Sequence, residues 1–151
     1  MQAMPYENWQ PSTTSVRFRA GKKRASNLID AQYVHGAIHL VESMPLTKFN
    51  CIPTEYFGLR SYRKNIISCS GASVKYPVAN ISFNEVYLYH EFLDKNRIIY
   101  RLNNLAPLLS GELLPILVNS DGRKIVSDGN HRIAVLALLG FNEFEFRYRG
   151  K

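Results

Sequence analysis

Cysteine is scarce in this sequence: Cys51 and Cys69 are the only two. Two thiols make neither a disulfide framework nor a zinc quartet, so a reduced, intracellular setting is expected, with both as small core fillers. Long apolar runs are missing as well. No stretch approaches the eighteen or so residues of a membrane-spanning helix. The first residues, "MQAMPYENWQPSTTS", hold no apolar segment of the secretory kind, and a cytoplasmic protein is expected. There are no internal repeats and no low-complexity tracts. Acid is thin in the first half, where residues 1–75 carry ten Lys/Arg against four Asp/Glu; residues 76–151 carry nine against eight.

What is present describes an ordinary globular domain. The chain has 151 residues, 46% of them apolar and 21% charged, enough to bury a real core and too apolar for wholesale disorder. The net charge of +7 belongs to the N-terminal half, and polyanions are the partners that this asymmetry favours. Residues 1–25 read as a basic N-terminal arm and residues 26–151 as a single domain. In the arm, "VRFRAGKKR" gathers Arg17, Arg19, Lys22, Lys23 and Arg24 around one Phe. These five are the candidate nucleic-acid contacts, and they predict weak binding to DNA or RNA whose affinity falls with salt at a log–log slope of about −4.

Hydrophobic spacing supplies the coarse structure. Ile29, Tyr33, Ala37, Val41 and Met44 make a helical stripe over 27–43, with Ser26 or Asn27 as cap and Pro45 as stop. His35 and His39 lie four apart on it; with no further ligand cluster to support zinc, they read as exposed helix residues. One or two strands are predicted in "KNIISCSGASVKY", and "LRSYRK" is a second basic-aromatic patch. "VANISFNEVYLYHEFLD" begins as a strand and is predicted to become a helix near His90 and Glu91. Ile98, Leu102, Leu105 and Leu109 extend that helix as an amphipathic stripe, giving 91–106. Strands are predicted at 116–118 and 124–127 around the turn formers Asp121 and Gly122, a helix at 131–139, and a half-buried strand at 144–148 with alternating Phe144, Phe146 and Tyr148. The fold class is therefore α+β, a small mixed sheet flanked by helices.

The most informative stretch is "VSDGNHRIAVLALLGF". Gly129 stands where a strand must turn into a helix, a place that demands a positive φ or close backbone approach. The helix after it is apolar on every side and must be buried. Yet His131 and Arg132 open it, where the helix dipole already places about half a positive charge. A phosphate at this mouth would take up the free N–H groups and pair with both side chains. Otherwise Asp128 caps the helix and pairs with Arg132 four residues on, and nothing binds. On the first reading, Asp128, Gly129, Asn130, His131 and Arg132 form a phosphate-binding turn.

From about residue 91 to 141, the chain resembles the core of the ParB/sulfiredoxin superfamily. The resemblance rests on an upstream helix, the "PILV" strand, a turn, a second strand, and a Gly-x-His-Arg box at 129–132 opening a helix that ends in Leu139-Gly140. The core so marked spans about 78–148. The resemblance implies a ParB/sulfiredoxin-like fold and binding of ATP, ADP or CTP, with Mg²⁺, at the 129–132 turn. Sulfiredoxin's reactive Cys position is Asn130 here, so that chemistry is expected to be absent. Partition proteins carry Glu-Arg where this chain has Asn130-His131, and their helix-turn-helix region is also expected to be missing. The box is closest to kinase-like and nuclease-like members. By likeness to the kinase-like members, Glu91 would be the catalytic base, with His131 the second catalytic residue. The function expected first is phosphate transfer or NTP hydrolysis. A DNA-associated nuclease or nucleotide-gated regulator comes second, and a non-catalytic interaction or inhibitor module third.

Overall fold

The computed structural model describes residues 31–62 and 75–150. They form helices α1 (Ala31–Ser43), α2 (Lys95–Leu102), α3 (Ala106–Leu109) and α4 (Asn130–Leu138). The strands are β1 (Cys51–Pro53), β2 (Val78–Ser82), β3 (Val86–Leu88), β4 (Phe92–Asp94), β5 (Ile116–Ser120), β6 (Arg123–Asp128) and β7 (Glu143–Arg149). This is the mixed α+β class that the hydrophobic spacing predicts. Five strands run in the order β2-β7-β5-β6-β3, with β3 parallel to β6, β5 parallel to β7 and the other pairs antiparallel. β1 and β4 make a separate two-stranded sheet.

The hairpin β5–β6 turns at Asp121 and Gly122, both with positive φ (60° and 74°), the geometry whose twist matches that of its strands. β7 alternates as its sequence requires: Phe144 and Phe146 are fully buried, while Glu145, Arg147 and Arg149 take the opposite face. On the core side these aromatics meet Leu117 and Val126 of the hairpin and the buried residues of α4. α2 packs against both α1 and α4.

One predicted element needs correction. The helix predicted over 91–106 is a strand followed by two short helices. Phe92 and Leu93 pair with Pro53 and Ile52, and Leu93 is completely buried, so the chain stays extended until Asp94 caps α2. Asn103 and Asn104 then interrupt the helix, and Pro107 opens α3. The stripe survives the break: Ile98, Leu102, Leu105 and Leu109 are all buried. The predicted start of that helix near His90 and Glu91 is a bend between β3 and β4. Its cause is non-local pairing, β3 to β6 and β4 to β1, which residue spacing cannot register. The arm, the strands expected in "KNIISCSGASVKY" short of its last residues, and Cys69 lie outside the described residues.

The topology places a crevice at the end of the β3–β6 pair. β3 and β6 run parallel, with Leu88 beside Val126, and α4 leaves the end of β6 while the chain after β3 bends into β4 and α2. Crevices outside the carboxyl ends of parallel strands are where such sheets hold ligands.

Candidate functional site

A cleft of about 450 Å³ lies between α2 and the turn into α4. α2 contributes Asn96, Arg97, Tyr100 and Arg101; the turn contributes residues 127–132; and His90 stands at the bend after β3.

The turn is built around Gly129, whose φ is 99°. A Cβ there would sit 2.8 Å from Pro115 Cβ and 3.1 Å from Pro115 Cα. Both demands anticipated for this glycine, positive φ and close approach, are therefore present. No side chain caps α4, so Asp128 is not its cap. Asp128 does pair with Arg132, at 4.0 Å, but its carboxylate is largely exposed and the pair is a loose one. The Arg132 guanidinium also reaches the carbonyls of Leu113 and Leu114, at 3.5 Å each. Burial lowers its pKa, with Asp128 opposing and Arg101 adding to the fall. An arginine remains protonated through such a shift.

His131 takes a different course. Its Nε2 accepts the Asp94 N–H at 3.0 Å, which places the ring proton on Nδ1. Burial, then Arg97 and His90 nearby, push its pKa down to about 4, against a smaller pull from Asp94. His131 is thus neutral near pH 7, and half of the conflict at the helix mouth disappears without any anion. Arg132 keeps the other half.

Asn130, expected among the phosphate contacts, is 4% exposed and spends its carboxamide on the backbone. Oδ1 accepts the N–H of Tyr89 at 2.8 Å and of His90 at 3.4 Å, and Nδ2 donates to the Val126 carbonyl at 3.2 Å. It clasps the bend after β3 to the root of α4, and only its backbone remains to face a ligand. Asp94, meanwhile, accepts the N–H groups of Asn96 (2.8 Å) and Arg97 (3.2 Å), and so orients the first turn of α2 along the cleft wall.

The cleft therefore joins three guanidinium groups, Arg97, Arg101 and Arg132, to the uncapped end of α4, with Asp128 the sole carboxylate among the described residues that line it. Tyr100, 54% exposed, adds an aromatic wall, with the Arg101 guanidinium 5.5 Å from its ring centre. Tyr100 and Arg101 carried no signal as site residues in the sequence. Their spacing with Arg97, three and four apart, puts all three on the face of α2 opposite Ile98 and Leu102, but not what that face meets. Glu91 is exposed and is not part of the cleft wall; its carbonyl accepts the Thr54 N–H at 2.9 Å. His35 and His39 are exposed on α1, His39 3.9 Å from Glu42. Among the described residues, no three His, Cys, Asp or Glu come together as metal ligands, and no helix is long and apolar enough to cross a membrane. No protein-family model, curated protein or solved structure matches this chain.

Proposed function

We propose that the cleft binds a nucleotide through its phosphates, within a core of the ParB/sulfiredoxin kind. The observation that carries this reading is the convergence of Arg97, Arg101 and Arg132 on the uncapped mouth of α4 against one exposed carboxylate. Arg101 disfavours the charge on Arg132, as Arg97 disfavours a charge on His131. An anion with several charges relieves both repulsions and supplies acceptors for guanidinium and backbone N–H groups at once. Tyr100 offers a stacking surface of suitable size for a base. The order of hairpin, glycine turn, buried helix and preceding α2 supports the family reading.

Phosphate transfer or hydrolysis needs a base and, in most such reactions, a divalent cation. Among the described residues that line the cleft, Asp128 and the imidazole of His90 could act as base, and Asp128 is the one carboxylate that could meet a cation. One carboxylate does not retain a metal by itself, so Mg²⁺ would arrive with the nucleotide, held mainly by phosphate oxygens and water. A non-catalytic nucleotide-binding module is the second reading, favoured by the position of Glu91 away from the cleft and by the engagement of His131 Nε2 with Asp94.

Calorimetry and thermal shift with ATP, ADP, CTP and GTP, each with and without Mg²⁺, test the binding. Saturable binding to the native chain and weakened binding to Arg132→Ala are expected. No nucleotide binding at millimolar ligand would overturn the proposal. Phosphate release from bound nucleotide, lost in Asp128→Asn with affinity retained, separates the enzyme from the binding module.

A further inference from the structure

A second organised surface lies at the β3 edge of the sheet, built from residues that do not line the basic cleft. The segment around Ser61 runs beside β3: the Leu88 N–H donates to the Arg60 carbonyl at 2.7 Å and the Tyr62 N–H to the Leu88 carbonyl at 2.9 Å. This pairing brings four planar groups into a ladder. The Arg60 guanidinium lies 4.1 Å over the Tyr87 ring, and that of Arg123 lies 4.3 Å over Tyr62. The two tyrosine rings meet edge to face at 5.9 Å. Arg60 also donates to Tyr87 Oη and to the Asn84 carbonyl. Among the described residues, neither arginine pairs with a carboxylate. Stacking fixes each guanidinium plane, and the ladder meets one carboxylate, Asp121, whose Oδ2 accepts the Tyr62 hydroxyl at 3.3 Å. In sequence, Arg63 and Lys64 follow directly.

Arg60 belongs to a second feature too. It forms one rim of a cleft of about 600 Å³ whose walls include Phe57, Phe83 and Phe141 and whose exposed rim holds Asn84 and Asn142. Aromatic walls with a few amides and one cation suit a flat, polar-edged ring, and the volume suffices for a nucleobase.

We propose that this face binds single-stranded nucleic acid. One unpaired base enters the cleft beside Asn84 and Asn142, and the strand passes over the Arg60–Tyr87–Tyr62–Arg123 ladder, its phosphates meeting the guanidinium edges and its bases their planes. Charge complementarity selects a polyanion. The base-sized recess, and guanidinium planes rather than a flat field of lysines, select an unpaired strand, because a duplex keeps its base faces stacked inside. The proposal uses none of the residues of the α2–α4 cleft and stands whether or not a nucleotide binds there.

Fluorescence anisotropy of the full chain with a labelled oligouridine of about twelve nucleotides tests it. Arg60→Ala/Arg123→Ala is expected to bind about tenfold more weakly or worse, with a salt slope shallower by about 1.4, as for two single-strand phosphates. Arg60→Lys/Arg123→Lys should restore the slope without the affinity, because lysine keeps the charge and loses the stack. Asn142→Leu, on an exposed turn outside the ladder, should weaken binding by itself and leave the melting temperature in place. Full recovery with the lysine pair would reduce the ladder to plain charge and overturn the proposal. So would equal competition by a duplex of the same length, or binding that vanishes when Arg17, Arg19, Lys22, Lys23 and Arg24 become alanine yet ignores Arg60 and Arg123.

Discussion

His131 joins two elements through a ring that stays uncharged, and this has a consequence for stability against pH. Its folded pKa of about 4 lies below the unfolded value of 6.5. Above pH 6.5 neither state is protonated, and the native state has its full stability. As pH falls from 6.5 towards 4 the unfolded chain binds a proton that the folded chain refuses, so stability declines, and it levels off below 4. The loss is on the order of 2–3 kcal/mol from this residue. Melting temperatures from pH 7.5 to 4.5 should show it, and His131→Gln, which retains an acceptor, should flatten that part of the profile; an unchanged profile would remove the buried neutral histidine from the account. Among the described residues, the polar contacts of Arg132 are long, at 3.5–4.0 Å. Arg132→Ala should therefore leave melting nearly unmoved and weaken nucleotide binding ten- to a hundredfold, about 1.5–3 kcal/mol for a charge-assisted contact. If affinity holds and melting falls, the residue is a structural partner of Asp128 and the phosphate site lies elsewhere. Gly129→Val should damage both, because a side chain at φ 99° is strained and its Cβ meets Pro115.

At the scale of elements, the junction between β4 and α2 decides how the cleft is walled. Asp94 ends the strand, caps the helix through its carboxylate, and offers its backbone N–H to His131. Asp94→Ala removes the cap but not that N–H. It should cost about 0.5–2 kcal/mol, read as a lower denaturant midpoint at an unchanged m-value. Nucleotide affinity should fall with it, since the same cap orients the turn that carries Arg97. A midpoint that does not move would mean that α2 is held by packing alone. The apolar stripe at 98, 102, 105 and 109 was legible in the sequence, because period and burial coincide there. The broken helix was not. Phe92 and Leu93 are extended because Ile52 and Pro53, some forty residues earlier, pair with them, and local spacing holds no record of that partner. The hairpin and α4 were readable for the opposite reason: Asp121-Gly122 and Gly129 specify their turns with backbone angles that few other residues accept.

Across the whole molecule, the cysteines bear on no proposed chemistry. Cys51 is half-buried in β1, with its thiol 3.5 Å from the Phe49 carbonyl, away from both clefts. The Cys51→Ser/Cys69→Ser protein should retain nucleotide binding, and its loss in a folded double variant would refute the site. The α+β class, the hairpin, the glycine turn and the buried helix after it were all written in local sequence, since each follows from turn chemistry or from a period set by neighbours in the chain. Local sequence also marked Arg132 as a cation in an unfavourable place. Tertiary structure alone decided what surrounds that cation. It brought Arg97, Tyr100 and Arg101 across from α2, tied up Asn130 with the backbone, discharged His131 by burial and left Glu91 outside the cleft. Those outcomes depend on which distant segments meet and on how much water they exclude, and neither quantity is written in the local spacing of residues.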